Sequence, residues 1–266
     1  MPAGRKPARK RRDEARPAPE EGAPRGLTTG RRQGRPLRPG RRRLLADLLP
    51  RVRIEVPEEG VLDPASLFDR PVDALWLEIG FGSGEHLAWQ AAQNPGVGMI
   101  GAEMFLNGVA AALSEIEARG LDNLRILPDD AQPLLAALPP ASLHRVFILF
   151  PDPWPKARHH KRRLIQPATL DRLAAAMADD AELRLATDDP GYLVWILRHL
   201  QAHRAFTWTA RRADDWRRRP ADWPETRYEA KARAAGRTPV YLLYRRRPRG
   251  KTSEGEGERA GGGPTA

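Results

Sequence analysis

The sequence predicts a doubly wound α/β fold built on a mostly parallel sheet, and three observations carry that prediction. From Leu75 onward, short apolar runs alternate with helical patterns, as strands and crossover helices do in a parallel sheet. The runs end on glycines or acids, at the carboxyl ends of strands where such sheets bind ligands. One run, opening at Phe147, breaks off into Pro151-Asp152-Pro153-Trp154-Pro155 and then into charge.

Taken in order, Leu75–Ile79 is a short strand that runs straight into Gly80-Phe81-Gly82-Ser83-Gly84, and a helix opens at Glu85. Gly98–Glu103 is a second strand, ending on an acid about twenty residues past the glycines. Val109, Leu113 and Ile116 mark a helix, and Leu124–Leu127 a third strand that ends at Asp129-Asp130. The fourth strand is the Phe147 run. Prolines stop it because they lack the N–H that a ladder needs, and they hold Asp152 and Trp154 on a stiff, extended loop. Pro167 suits the first turn of a helix whose apolar face is Leu170, Leu173, Ala174 and Met177. Glu182–Ala186 is a fifth strand ending in Thr187-Asp188-Asp189, and Tyr192–Leu200 the next helix. Phe206–Arg212 and Val240–Arg246 read as a closing antiparallel pair around a polar stretch, Asp214–Gly236. Leu44–Pro57 has a helical beginning and an edge-like end, with no chemistry attached.

Composition sets the outer limits. With 41% apolar residues the chain can bury a sizeable core, and with no cysteine it has neither disulfides nor thiolate metal sites. There is no long apolar run and no apolar core to a leader peptide, so no membrane span is expected and cytoplasm is the default. The formal charge is +11, but residues 1–43 hold 15 of the 45 basic and 4 of the 34 acidic residues. That arm therefore carries the whole excess, and residues 44–266 balance. The arm, residues 1–43, is too poor in large apolar side chains to fold and is expected to be disordered, as is a tail over 251–266; the domain spans 44–250. An RNA-binding face in the domain has to come from local clustering, and Arg158, His159, His160, Lys161, Arg162 and Arg163 provide one beside the proline loop.

The glycine loop reads Gly-x-Gly-x-Gly, whereas a dinucleotide fold uses Gly-x-Gly-x-x-Gly to take a pyrophosphate. Glu78, directly before Gly80, Gly82 and Gly84, repels a pyrophosphate but suits an ammonium or a sulfonium. Glu78, Glu103 and Asp130 then fit one cofactor, S-adenosylmethionine, through its methionine part, its ribose hydroxyls and its adenine amino group. Plainer roles exist for each feature. Asp152 could be a turn former, Trp154 reads as a packing wedge, and Asp129 and Asp189 suit helix caps. Tyr228 could be core and Glu229 an ion-pair partner. His159 and His160 lack partners at metal-ligand spacing, so no metal site is expected. A nicotinamide-dependent oxidoreductase and an RNA-binding protein on a vestigial fold are the competing classes.

Four motifs carry a resemblance: Leu-Glu-Ile-Gly-Phe-Gly-Ser-Gly-Glu from Leu77, Phe-Pro-Asp-Pro-Trp-Pro-Lys-Ala-Arg-His-His-Lys-Arg-Arg from Phe150, Ala-Thr-Asp at Ala186, and Thr-Arg-Tyr-Glu at Thr226. Together, over roughly residues 70 to 246, the chain resembles the bacterial tRNA (guanine-N7)-methyltransferase family. The resemblance implies a seven-stranded, Rossmann-like class I methyltransferase sheet, S-adenosylmethionine as methyl donor, and the variable-loop guanine of tRNA as acceptor. It places Glu78, Glu103, Asp130 and Asp152 at cofactor positions and makes Asp152 the catalytic residue as well. It assigns Lys156, Asp188, Thr226, Arg227, Tyr228 and Glu229 to the substrate, and Arg158–Arg163 to RNA. The family often has Lys-Phe where this chain has Arg227-Tyr228, and the basic arm lies outside the shared pattern. A methyltransferase acting on another RNA or a small molecule is the alternative within the same class.

Overall fold

The computed structural model describes residues 32–250. Seven strands, β1 (Ala74–Ile79), β2 (Val97–Ala102), β3 (Leu124–Leu127), β4 (Leu143–Leu149), β5 (Met177–Thr187), β6 (Phe206–Trp208) and β7 (Val240–Arg246), form one sheet in the order β3-β2-β1-β4-β5-β7-β6. The first five are parallel; β7 runs antiparallel to both β5 and β6. Strand order reverses between β1 and β4, which opens a crevice at their carboxyl ends.

The helices are α1 (Pro39–Asp47), α2 (Leu49–Val52), α3 (Glu85–Gln93), α4 (Leu106–Arg119), α5 (Ala131–Ala137), α6 (Pro167–Ala176), α7 (Pro190–Ala202), α8 (Asp214–Arg217) and α9 (Arg227–Ala234). Strand periodicity divides the core between the two faces of the sheet. Leu75, Leu77 and Ile79 pack with Leu134, Leu170, Leu173 and Ile196, from α5, α6 and α7. Trp76, Met99 and Phe147 pack on the other face with Leu87, Val109, Leu113 and Ile116, from α3 and α4. Glu78 shares that second face with Trp76, and so lies under α3.

Three details differ from the sequence reading. Met177 is buried but opens β5 rather than closing α6. The final pair is shorter than Phe206–Arg212 implies, because Thr209 donates both its N–H and its hydroxyl to the Leu243 carbonyl and ends the ladder. The polar stretch Asp214–Gly236 is packed rather than loose: it carries α8 and α9, and Trp223 is buried against Phe147 and Tyr241.

The segment with no assigned chemistry covers an edge. Leu44 is buried and Arg43 pairs with Glu117 on α4 at 2.6 Å, while the Ile54 N–H donates to the Ile126 carbonyl on the outer edge of β3. Of the arm expected over residues 1–43, residues 39–43 begin α1, and Gly34 donates its N–H to Asn107 Oδ1 at 2.8 Å. Residues 1–31 and the tail at 251–266 lie outside the described residues.

Candidate active site

A cavity of about 480 Å³ opens at the carboxyl ends of β1, β2, β3 and β4, a size suited to a small-molecule ligand. Its wall begins with the glycine loop. Gly80 and Gly82 have φ of +74° and +58°, and nothing lies within 4 Å of the position a Cβ would take on either, so the backbone is bare toward the cavity. Gly84 departs from the expected ligand contact. It is buried, and a Cβ there would sit 2.6 Å from the Ala112 Cβ, so this glycine serves the packing of α3 on α4.

The expected acids line the cavity: Glu78, Glu103, Asp130 and Asp152 all reach it. Glu103 Oε2 accepts the Gly82 N–H at 2.9 Å and Oε1 accepts the Phe105 N–H at 2.8 Å, which ties the glycine loop to the turn after β2. Burial pushes the Glu103 carboxyl above the usual carboxylate range, against the opposing pull of these backbone donors. Asp130 caps α5 through Oδ1, which accepts the Gln132 N–H at 3.0 Å. Its Oδ2 is buried with no hydrogen-bond partner, a free acceptor at the wall. Glu78 is 2% exposed and accepts from His86 Nδ1 at 2.7 Å. Asp129 and Asp189 are local anchors: Asp129 accepts the Asp130 N–H, and Asp189 caps α7.

Asp152 sits between two residues with left-handed backbone, Phe150 at φ +51° and Trp154 at φ +43°, and its side chain is exposed at the cavity mouth. Such backbone costs about 1–3 kcal/mol per residue and persists only when the surroundings over-determine it. Here Arg163 does so. Its Nε donates to the Pro153 carbonyl at 2.8 Å, and its guanidinium lies 4.7 Å from the Trp195 ring centre and 5.2 Å from that of Tyr192. Arg163 is therefore 6% exposed and leaves the expected RNA-facing run. The rest of that run is a 3₁₀ turn, Ala157–Arg162, preceded by Lys156. Lys156, Arg158 and Lys161 are exposed, whereas His159 and His160 are half-buried against Trp154 and Trp195. Arg162 lies over the Trp154 ring, and both line the cavity. Trp154 thus packs the loop and faces the cavity at once.

The C-terminal segment divides. Thr226 and Tyr228 line the cavity, with Thr226 capping α9 and the Tyr228 ring 5.0 Å from that of Phe150. Burial, followed by the carboxylate of Asp188, pushes the Tyr228 phenol up. Arg227 turns aside: its N–H donates to Glu85 Oε2 at 2.8 Å, and its guanidinium pairs with the same carboxylate. Glu229 points away from the cavity and is buried, accepting from the Tyr241 hydroxyl at 2.6 Å and from Arg233. Asp188 lies 2.8 Å from Arg237 Nε and is not on the wall.

Comparison with known proteins now decides the family. Residues 73–242 match the family model described as "Putative methyltransferase". The tRNA (guanine-N(7)-)-methyltransferase of Rhodospirillum rubrum is 58% identical over 223 residues, covering 83% of this chain and 88% of that one. The enzyme of the same name from Paramagnetospirillum magneticum is 53% identical, covering 83% and 92%. This chain belongs to the tRNA (guanine-N7)-methyltransferase family. A solved 16S rRNA methyltransferase, KamB, is similar at 18% identity and a TM-score of 0.48, covering 66% of this chain and 89% of that one. Family membership disfavours the nicotinamide reading of the glycine loop.

Within this family member, sequence reasoning missed three supporting residues. His86 holds Glu78, Arg163 holds the Asp152 loop, and Gly108 lets α4 approach the glycine loop. Only Gly108 left a signal, as a lone glycine inside an alanine-rich helix. His86 reads as an ordinary polar residue and Arg163 as the last member of the RNA-facing run, because the partners of both are fixed by tertiary packing.

Proposed function

We infer that the chain transfers the methyl group of S-adenosylmethionine to N7 of the variable-loop guanine of tRNA. The observation that carries this reading is Asp152 on a strained loop, facing a cavity already walled by Glu78, Glu103 and Asp130. When bound, S-adenosylmethionine supplies an electrophilic methyl on a sulfonium. The residues present fit it: Glu78 takes the methionine ammonium, Glu103 accepts the ribose hydroxyls, and the unpartnered Asp130 Oδ2 accepts from the adenine amino group.

Guanine N7 carries an in-plane lone pair and loses no proton on attack, so the protein supplies placement and charge stabilisation rather than a strong base. Asp152 orients the base and offers negative potential as positive charge arrives on the purine. Phe150 and Tyr228 give that base an aromatic wall and Thr226 reaches its donor edge, while Asp188, paired with Arg237 off the wall, acts from behind through its negative charge near the Tyr228 phenol. Arg227 and Glu229 act indirectly, by fastening α9 and the segment before it. Lys156, Arg158 and Lys161 meet phosphates, backed by His159, His160 and Arg162. The target base has to leave its tertiary contacts to enter the cavity.

Incubating the protein with unmodified tRNA and labelled S-adenosylmethionine, then cleaving with borohydride and aniline, tests the reaction, since that chemistry cuts at N7-methylguanosine. Incorporation without cleavage would assign the methyl to another atom. Asp152→Ala is expected to slow single-turnover methylation about 10²- to 10³-fold at saturating cofactor. An unchanged rate would remove Asp152 from the chemical step.

A further inference from the structure

Glu78 is joined to the C-terminal segment by an unbroken buried chain. His86 Nδ1 meets Glu78 Oε2 at 2.7 Å, His86 Nε2 meets Gln90 Nε2 at 3.1 Å, and Gln90 Nε2 donates to the Asp222 main-chain carbonyl at 2.8 Å. The three side chains are 2%, 3% and 1% exposed, so water does not compete for these bonds.

The proton positions follow from the far end of the chain. The Asp222 carbonyl can only accept, so the Gln90 atom facing it is the amide nitrogen. The Gln90 oxygen lies on the other side, 3.4 Å from Asn94 Nδ2, which agrees. That same nitrogen faces His86 Nε2, and an N–H group cannot bond to another N–H. His86 Nε2 must therefore be a bare acceptor, and Nδ1 carries the hydrogen donated to Glu78. With Nε2 accepting from Gln90, the ring offers no second position for a hydrogen while that bond stands. The ring has no freedom to escape, with Phe147 at 4.7 Å and Trp223 at 5.7 Å, both edge-on. Among the charged groups nearby, Glu85 is taken by Arg227, and the Asp222 carboxylate turns to Arg184 at 2.7 Å and Arg145 at 3.7 Å.

We propose that His86 is a positioning residue kept neutral by Gln90 and the Asp222 carbonyl, so that it orients Glu78 without neutralising it. The carboxylate charge then remains available to a cationic group in the cavity. The proposal rests on the reading of Glu78 as the methionine-ammonium contact, and its test separates the two.

In the uniformly ¹⁵N-labelled full-length protein, long-range proton–nitrogen NMR at neutral pH should show, besides His199, whose Nδ1 faces the Trp195 carbonyl, a histidine protonated at Nδ1 and bare at Nε2 whose signal is absent from His86→Asn. Finding His86 as an imidazolium, or protonated only at Nε2, would overturn the proposal. Gln90→Met, similar in shape but no donor, should convert the ring to the imidazolium. It should raise the KM for S-adenosylmethionine about tenfold while kcat at saturation stays within about twofold. A merely structural Gln90 would lower Tm and leave the ring neutral, and that result would also overturn the idea. His86→Asn keeps a donor toward Glu78, so it should retain most of the affinity lost in His86→Leu. Glu78→Gln tests the underlying reading: unchanged cofactor affinity there would end the ammonium assignment, while the NMR signal would still establish the neutral relay.

Discussion

Gly108 offers a perturbation whose size can be worked from distances. A Cβ at this position on α4 would lie 2.2 Å from the Gly82 carbonyl oxygen and 3.1 Å from its carbon. Ordinary contact requires the helix and the loop to part by about 1 Å. The Gly82 N–H donates to Glu103 Oε2 at 2.9 Å, so this shift breaks the bond that holds the loop in shape for a ligand. A hydrogen bond to a charged group contributes about 1.5–3 kcal/mol. Gly108→Ala should therefore weaken S-adenosylmethionine binding about 10- to 100-fold. Alanine is favoured over glycine inside a helix by about 0.5–1 kcal/mol, which offsets part of the strain in the free protein, so affinity should fall more than stability. Isothermal titration with S-adenosylmethionine, paired with a Tm measurement, checks both. Gly40→Ala on α1, where no atom lies within 4 Å of the added carbon, is the control: it should leave affinity unchanged and move Tm only upward, by the same helix preference. Affinity within about twofold of wild type, with Tm unchanged, would refute the account of the loop.

The other predictions concern charge. Glu103 titrates above the usual carboxylate range because it is buried, and only its ionised form accepts two hydroxyls, so cofactor affinity should be full at neutral pH and fall as pH drops through the raised value. Stability moves the other way: the folded state binds the proton more tightly, so Glu103's contribution falls as pH rises through that window. Glu103→Gln should remove both trends, and a pH-independent difference between the two proteins would contradict this. Arg163→Lys should slow single-turnover methylation about tenfold with tRNA affinity unchanged, since the lysine keeps the charge but not the planar fork between Tyr192 and Trp195. Weaker tRNA binding at an unchanged rate would return Arg163 to a phosphate-contact role.

What the sequence disclosed about the site tracks how local each cause is. The strand ends were legible because apolar runs, glycines and prolines act through their own backbone: Gly80, Gly82, Glu103 and Asp130 stand where their motifs put them. Chain-distant partners were not legible. Glu229 reads as a substrate contact in its motif, yet Tyr241 and Arg233 occupy its oxygens, and no pattern near position 229 announces a phenol on β7. Arg163 ends a basic run whose exposed members are visible as such, but its burial depends on Trp195 and Tyr192 arriving from α7. Leu44–Pro57 was legible in outline, helical and then edge-like, and the structure agrees, but its purpose was not. It carries no motif, and only the unpaired edge of β3 explains why it is held there.

The electrostatics of the cavity join these observations. Among the described residues, six carboxylates reach its wall, Glu78, Glu85, Glu103, Asp129, Asp130 and Asp152, against the single guanidinium of Arg162. Two of the six are paired to arginines, Glu85 with Arg227 and Asp129 with Arg32. The other four are held by groups that orient without cancelling: a histidine ring for Glu78, backbone N–H groups for Glu103 and Asp130, and, for Asp152, a loop fixed from beneath by Arg163. Had lysines or arginines bound these four directly, their geometry could be as firm, but their field would be spent inside the protein. Dipolar donors fix direction and leave most of the charge facing inward. A cavity of that kind favours ligands that arrive or leave as cations, and both the sulfonium donor and the N7-methylated purine are cations. Burial is the main cause that raises the Glu103 carboxyl, and the neighbouring Asp152 carboxylate adds a smaller push of the same sign, so the negative field that suits the cavity to a cation is also felt by its own acids.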